Sequence, residues 1–171
     1  MDASVTSSAQ GLSTTTRSPR IWAVGGGKGG VGKSLLAVNL GVALARSGKR
    51  CILLDADFGG ANLHTLLGLS NPSVTLTDLL TRKAPRLSDV VVPTQTPGLF
   101  LISGSRAQLD QANIKYASKE KLIRQLPTLE ADYLLIDPGA GSSFNVLDFF
   151  LLACQPLLVV APTPTSIENA Y

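Results

Sequence analysis

The chain has 171 residues, of which 44% are hydrophobic and 16% are charged, and this composition is typical of one globular domain with a large core. The formal charge of +3 comes from 15 basic and 12 acidic residues that are scattered along the chain, so the charge pattern does not indicate a nucleic-acid surface. The longest apolar stretch, residues 146–161, is interrupted by Asp148, Gln155 and Pro156, which argues against a membrane span there.

The N-terminal segment differs in composition from the rest of the chain. Residues 1–19 are rich in Ser and Thr and contain no apolar run, so we expect a disordered tail before a domain that spans residues 20–171. That domain is predicted to begin with a strand over 20–24, followed by a glycine-rich loop and an apolar helix over 33–47. The next predicted strand, over 50–54, is continuously apolar after Arg50, as expected for a parallel strand buried on both faces. Together these elements predict a βαβ unit.

The loop at residues 25–34 reads Gly-Gly-Gly-Lys-Gly-Gly-Val-Gly-Lys-Ser and fits the Gly-x-x-x-x-Gly-Lys-Ser/Thr pattern of a phosphate-binding loop. In such a loop the glycines let backbone N–H groups wrap around the phosphates, the lysine neutralises them and the hydroxyl binds Mg²⁺. The helix that follows adds its N-terminal amides and its dipole. We therefore predict that ATP or ADP binds here with Mg²⁺. The predicted binding residues are Gly27, Lys28, Gly29, Gly30, Val31, Gly32, Lys33 and Ser34.

Two other interpretations of this loop remain. The glycines of residues 25–30 also fit Gly-x-Gly-x-x-Gly, with Asp55 as the ribose-binding acid of a dinucleotide fold. A dinucleotide site has no use for Lys33 and Ser34 at the start of the helix, whereas a triphosphate with Mg²⁺ needs both. The second interpretation is a glycine-rich turn with incidental lysines.

Three carboxylates follow predicted strands, where a parallel sheet delivers side chains to a phosphate site. Asp55 and Asp57 end the second strand, and their spacing places both side chains on the same side of an extended backbone. Such a pair can divide its work between a metal ion and an attacking water. Asp137 follows the apolar strand over 133–136 in the Walker B arrangement, which holds Mg²⁺, usually through water. The alternative is that these residues only form turns or helix caps, which Asp favours.

The remaining pattern alternates helices with strands. Beyond residue 57 the predicted elements are helices near 61–67 and 76–81, a strand over 99–102, a helix over 118–125, a strand over 133–136, a helix over 144–153 and a strand over 157–160. This alternation predicts an α/β fold, a doubly wound and mostly parallel sheet with flanking helices, with ligands at the carboxyl ends of the strands. Since a further helix starts near residue 166, we expect the domain to be truncated at its C-terminus.

The motif Lys-Gly-Gly-Val-Gly-Lys-Ser at residues 28–34 resembles the deviant Walker A motif of the MinD/ParA class of P-loop ATPases. The resemblance covers residues 20–171. It implies that Lys28 crosses a dimer interface to the partner's nucleotide, so that Lys28, Lys33 and Asp57 are the catalytic residues.

The acids and the segment after Asp137 also match this family. The resemblance implies that Asp55 belongs to the Mg²⁺ shell, with Ser34 and Asp137, and that Asp57 positions or activates the attacking water. Residues 137–141, Asp-Pro-Gly-Ala-Gly, match the family's switch segment. This match implies that the backbone N–H of Gly141 senses the γ-phosphate.

Two stretches are more similar to the flagellar-number regulators of this family than to the cell-division MinD proteins. They are Asp-Ala-Asp-Phe-Gly-Gly-Ala-Asn-Leu at 55–63 and Gly-Ala-Gly at 139–141. The resemblance implies an ATP-hydrolysing dimerisation switch that controls the placement or number of a cellular structure such as flagella. It also implies an ATP-dependent homodimer and a protein partner from the flagellar or polar assembly machinery. We expect a cytoplasmic protein, with membrane association through a segment beyond residue 171.

Three other functions remain open on the same scaffold. A DNA-partition ATPase should show a basic patch, an iron–sulfur carrier ATPase should have paired cysteines, and an ATP-dependent metabolic enzyme should have a substrate site. Cys51 and Cys154 stand far apart, which argues against a Cys-x-x-Cys site within this span. Since the basic residues are scattered, a nucleic-acid partner is not expected.

Overall fold

The computed structural model describes residues 18–58, 60–70, 72–104, 116–141 and 144–170. The strands are β1 (Arg20–Gly25), β2 (Cys51–Asp55), β3 (Val92–Pro93), β4 (Leu99–Ile102), β5 (Tyr133–Asp137) and β6 (Gln155–Leu158). The α-helices are α1 (Lys33–Arg46), α2 (Leu63–Leu66), α3 (Leu76–Leu80), α4 (Tyr116–Gln125), α5 (Phe144–Leu152) and α6 (Pro164–Glu168). Two short 3₁₀ helices lie at Leu87–Val90 and Leu126–Thr128. The predicted N-terminal tail lies outside the described residues, except for Ser18 and Pro19, and its disorder stays a prediction.

The described strands form one sheet in the order β3-β4-β2-β5-β1-β6. Five of them run parallel, and the two-residue strand β3 pairs antiparallel with β4. The predicted doubly wound, mostly parallel sheet is therefore confirmed. The sequence does not predict β3, because two residues that end in proline carry no strand periodicity.

Alternate residues of the central strands pack into separate cores on the two faces of the sheet. In β2, Ile52 and Leu54 belong to the core that includes residues of α3, α4 and α5. Cys51 and Leu53 belong to the opposite core, which includes residues of α1 and α2. All five residues of β2 are buried, and this explains why the four residues before Asp55 are continuously apolar. Burial of each such leucine or isoleucine contributes roughly 1.5–3 kcal/mol.

The last strand and helix begin earlier than predicted. β6 starts at Gln155 and not at residue 157, because it pairs with β1 in a register that aligns Trp22 with Gln155. Pro156 is compatible with this pairing, since β6 is the outermost strand of the described sheet. α6 begins at Pro164 and not at residue 166, because proline is well suited to the first turn of a helix.

None of the helices in the described ranges is long and apolar enough to cross a membrane.

Candidate functional site

The glycine-rich loop lies between β1 and α1, at the carboxyl end of the sheet. Gly30 and Gly32 have φ angles of 78° and 96°, in the left-handed region that favours glycine. A Cβ atom at either position would contact nothing within 4 Å, so backbone conformation, and not lack of space, requires glycine here. Gly32 is also the residue that caps α1, and no side chain caps this helix. The N–H groups of its first turn could therefore bind an anion.

The side chain of Lys33 is buried, with 6% of its surface exposed. Its Nζ donates a hydrogen bond to the backbone O of Lys28 at 3.2 Å, so the ammonium group lies inside the curve of the loop. Asp137 is close enough to Lys33 for their charges to attract. Burying a cation is unfavourable unless nearby negative groups compensate it, and phosphate groups in the loop would do so.

The three predicted metal ligands lie together beside this loop. Asp55 and Asp137 face each other in the pairing of β2 with β5, and both are at most 2% exposed. The hydroxyl of Ser34, in the first turn of α1, hydrogen-bonds to the carboxylate of Asp137. The N–H of Gly139 donates to Oδ1 of Asp137 at 3.2 Å. A hydroxyl and two carboxylates are oxygen donors of the kind that Mg²⁺ prefers.

Within the described part of the chain, no group of three or more His, Cys, Asp or Glu side chains is arranged to hold a metal ion alone. In proteins, Mg²⁺ is typically bound by one or two carboxylates together with waters and substrate phosphates. Ser34, Asp55 and Asp137 fit such a site if phosphate oxygens complete it.

Burial changes the protonation of both strand-end carboxyl groups. Burial raises the pKa of Asp55 to about 7, and the negative charge of Asp137 raises it further. The N–H of Leu63, which donates a hydrogen bond to Oδ2 of Asp55 at 2.9 Å, acts in the opposite direction and lowers this pKa. Burial also raises the pKa of Asp137, while the hydrogen bond from Ser34 opposes the rise. Two adjacent buried carboxylates are thus unfavourable when both are charged. Such perturbed groups in one place are typical of a functional site.

The nucleotide-free protein is expected to lose stability as the pH rises from about 4 to about 7. In the unfolded chain Asp55 ionises near its ordinary pKa of 3.8, whereas in the folded chain it keeps its proton until the pH approaches about 7. Between these values the folded state binds more protons than the unfolded state. Each pH unit therefore lowers the free energy of unfolding by on the order of 1 kcal/mol, and the effect levels off above pH ~7. Urea denaturation in EDTA would measure this dependence.

The variant Asp55→Asn is the control for this measurement. It removes the titrating group but keeps an oxygen that can accept the N–H of Leu63. Its free energy of unfolding should depend less on pH over the same interval. If both proteins show the same slope, the pH dependence does not come from Asp55.

Asp57, in the loop after β2, packs against the segment that follows β5. Its Oδ1 accepts the N–H of Gly60 at 2.9 Å. A Cβ atom on Gly139 would lie only 2.8 Å from Cγ of Asp57, and the φ angle of Gly139 is 85°. Glycine is therefore required at position 139, both by its φ angle and by the close approach of Asp57. The segment 137–141 therefore packs directly against Asp57.

The backbone N–H of Gly141 is hydrogen-bonded to the phosphate-binding loop. Its N–H, which the resemblance assigns to the γ-phosphate, donates to the backbone O of Gly26 at 3.3 Å. To bind a phosphate, this N–H has to exchange its partner. Its role as a sensor stays a prediction.

Lys28 contacts a residue that the sequence does not indicate. Its Nζ donates to Oγ1 of Thr165 at 3.1 Å, on the exposed side of the loop. Thr165 lies in α6, 137 residues further along the chain. No local pattern could have identified this contact, because only the pairing of β6 with β1 brings α6 to the loop.

The geometry of the loop and acids agrees with the comparison to protein families. The sequence model of the ParA family, described as "NUBPL iron-transfer P-loop NTPase", matches residues 18–170. The chain belongs to the ParA/MinD family of P-loop NTPases. The family predicted from the Lys-Gly-Gly-Val-Gly-Lys-Ser motif is therefore confirmed.

Two curated ParA/MinD relatives show how much of such a protein the chain represents. The antiactivator FleN of Pseudomonas aeruginosa is 38% identical over 154 residues, which cover 89% of this chain and 54% of FleN. The septum site-determining protein MinD of Synechocystis sp. is 36% identical over 152 residues, which cover 88% of this chain and 56% of MinD. The chain thus spans about half the length of the curated relatives it matches.

A solved ParA/MinD structure supports the fold. The chain superposes on the septum site-determining protein MinD from Pyrococcus horikoshii, complexed with Mg-ADP, with a TM-score of 0.77 and 28% identity. The match covers 88% of this chain and 61% of that protein.

Proposed function

We propose that the chain is the nucleotide-binding part of an ATP-hydrolysing dimerisation switch of the ParA/MinD family. The observation that carries this proposal is the convergence of a lysine in the loop with two strand-end carboxylates and a third carboxylate two residues beyond the end of β2. Lys33 is buried under the loop, Asp55 and Asp137 are paired on neighbouring strands, and Asp57 packs on the segment after β5. A site for phosphates, for Mg²⁺ and for an attacking water needs these groups.

The proposed binding roles follow from where each group lies. The loop amides and Lys33 hold the phosphates of ATP or ADP, and Lys33 supplies the buried countercharge. Ser34, Asp55 and Asp137 are proposed to hold Mg²⁺, which when bound neutralises charge on the phosphates and on both carboxylates. Because burial raises the pKa of both acids, binding of a cation should release protons from them.

Hydrolysis is assigned to Asp57. The half-buried carboxylate is fixed by the N–H of Gly60, so it can accept a proton from a water molecule or orient it. We propose that the N–H of Gly141 leaves the backbone O of Gly26 and donates to the γ-phosphate when ATP is bound. This exchange would link the nucleotide state to the position of residues 137–141.

The proposed output is control of the placement or number of a cellular structure such as flagella, through a protein partner. The similarity to FleN and the resemblance of residues 55–63 to flagellar-number regulators support this choice. We propose a cytoplasmic location, with peripheral attachment at the inner face of the membrane through a segment beyond residue 171.

Lys28→Ala tests the dimerisation switch. This variant is expected to bind ATP within a few-fold of the parent protein, because Lys33 and the loop amides remain, yet to stay monomeric. The physical reason is that a cation stabilises an interface with the partner's phosphates only when those phosphates are present. Light scattering in ATP, on an Asp57→Ala background that blocks hydrolysis, measures the dimer.

Lys49→Ala is the matched control, since Lys49 is an exposed lysine on the turn between α1 and β2. It should dimerise like the Asp57→Ala parent. If Lys28→Ala/Asp57→Ala dimerises as readily as Asp57→Ala alone, Lys28 is only a phosphate contact within its own subunit.

A further inference from the structure

The carboxyl end of β4 lies beside Asp55. In the sheet β2 is placed between β4 and β5, so Asp55 has Asp137 on one side and the end of β4 on the other. Ile102 pairs with Leu54, and two residues later the buried Gly104 lies against Asp55. β4 therefore forms one wall of the proposed site.

Gly104 has no room for a side chain. A Cβ atom there would lie 2.5 Å from Cβ of Ala61, 3.0 Å from the backbone O of Asp55 and 3.4 Å from Cγ of Asp55. Real Cβ atoms essentially never come closer than 3.0 Å to such neighbours, so a side chain would force one of them to move. The φ angle of Gly104 is not positive, and glycine is required here by space alone.

The neighbour that would yield is Ala61. The backbone of β2 is fixed by its pairing with strands on both sides, whereas Ala61 is half-buried in the loop between β2 and α2. Two residues further on, the N–H of Leu63 donates to Oδ2 of Asp55 at 2.9 Å. Earlier in the same loop, the N–H of Asp57 donates to Oδ1 of Asp55 at 3.3 Å. The loop that rests on Gly104 thus fixes the Asp55 carboxylate.

We propose that Gly104 is a positioning residue for Mg²⁺, because its missing side chain lets this loop keep both hydrogen bonds to Asp55. The inference rests on the proposed function, in which Asp55 is one of the groups that hold the cation. Groups that hydrogen-bond to a metal ligand set its orientation and tune the binding of the metal. A carboxylate oxygen that accepts one N–H keeps a second lone pair, so both oxygens of Asp55 remain able to bind a cation or its water.

Gly104→Ala tests this role through a binding measurement. Isothermal titration of ADP, in EDTA and at a series of free Mg²⁺ concentrations, gives the Mg²⁺ concentration at which half of the gain in affinity is reached. This concentration should rise by roughly ten- to a hundredfold, the usual cost of disturbing the partner of a metal ligand. The ADP affinity in EDTA should stay within about twofold of the parent, because Lys33 and the loop amides are unchanged.

Ala61→Gly supplies the rescue. In Gly104→Ala/Ala61→Gly the methyl group that lies 2.5 Å from the new Cβ is removed. Since residues in contact have non-additive effects, the double variant should need Mg²⁺ within about threefold of the parent concentration. Ala61→Val, which enlarges the other side of the same contact, is a second variant and should also raise the Mg²⁺ requirement.

Gly41→Ala is the matched control. Its new Cβ would lie 3.1 Å from Cδ1 of Leu99 and 3.3 Å from Cδ2 of Leu53, so it also crowds β4 and β2, but in the core beneath α1. Overpacking should lower the thermal stability of both alanine variants. The Mg²⁺ requirement of Gly41→Ala should nevertheless stay within about twofold of the parent, because its neighbours do not bond to Asp55.

A second measurement reads the loop without nucleotide or metal. In the nucleotide-free protein, hydrogen exchange of the Leu63 amide, followed by NMR, should be faster in Gly104→Ala and slow again in the double variant. An unchanged Mg²⁺ requirement in Gly104→Ala and Ala61→Val, an equal rise in Gly41→Ala, or no rescue by Ala61→Gly would overturn the role of Gly104. If the parent binds ADP no more tightly with Mg²⁺ than in EDTA, the Mg²⁺ site of the proposed function is wrong. The exchange of the Leu63 amide then decides whether Gly104 holds the loop against Asp55.

Discussion

Replacing Lys33 with alanine is expected to weaken ATP binding by about a hundredfold or more. The Nζ of Lys33 is buried and turned into the loop, where it is the main countercharge available to the phosphates. Removing one member of a buried, hydrogen-bonded charge pair costs about 3–5 kcal/mol, which corresponds to a factor of at least 10² in the dissociation constant. Isothermal titration of ATP with Mg²⁺ measures this loss.

Lys33→Met keeps most of the aliphatic chain and serves as a second variant, since its fold should be less disturbed than that of Lys33→Ala. Both should show the same loss of affinity, with thermal unfolding used to confirm that each is folded. Unchanged affinity in either variant would contradict the assigned role of Lys33.

In cells, Lys33→Ala should also alter the number or placement of flagella. Unaltered flagella would contradict the proposed cellular output, but they would not contradict the proposed nucleotide-binding site.

Asp57→Ala is expected to bind ATP within about twofold of the parent and to lose hydrolysis by a factor of roughly 10²–10⁴, the usual contribution of a general base. Asp57 lies in the loop after β2, whereas the groups proposed to hold the phosphates are Lys33 and the amides of the loop between β1 and α1. Its carboxylate instead packs against Gly139, in the segment that follows Asp137. Phosphate release under saturating ATP, together with titration of the nucleotide, separates turnover from binding.

Asp57→Asn is the sharper variant, because its side-chain oxygen can still accept the N–H of Gly60 and so preserve the loop. It should be as inactive as Asp57→Ala if the carboxylate acts on the water. Full activity in Asp57→Asn with low activity in Asp57→Ala would indicate that Asp57 only supports the loop. Parental hydrolysis in both would mean that Asp57 has been given the wrong role.

The parts of the site that depend on local sequence could be predicted. The positive φ angles of Gly30 and Gly32 are a local property of the loop, and the loop pattern indicates them. Asp55 and Asp137 each end a buried strand, and an apolar run followed by an acid is visible in the sequence. The parallel sheet then brings both acids to the same edge.

The parts that depend on pairing between distant segments could not be predicted. The start of β6 is set by its register with β1, and the sequence around Pro156 gives no sign of that register. The contact of Lys28 with Thr165, and the bond from Gly141 to Gly26, follow from where the sheet places three separate loops. Such contacts have no period or motif, so they become visible only when the fold is known.

The register between β2 and β5 makes the spacing of the two buried acids independent of the chain that joins them. Asp55 and Asp137 sit opposite each other on adjacent strands, and such strands are held about 4.8 Å apart by their backbone hydrogen bonds. Residues inserted between the exposed Arg82 and Lys83 would lengthen the connection without moving either carboxylate. Exposed turns between these strands can therefore change in length while the two acids stay at a constant separation, whereas β4 is constrained because it pairs with β2.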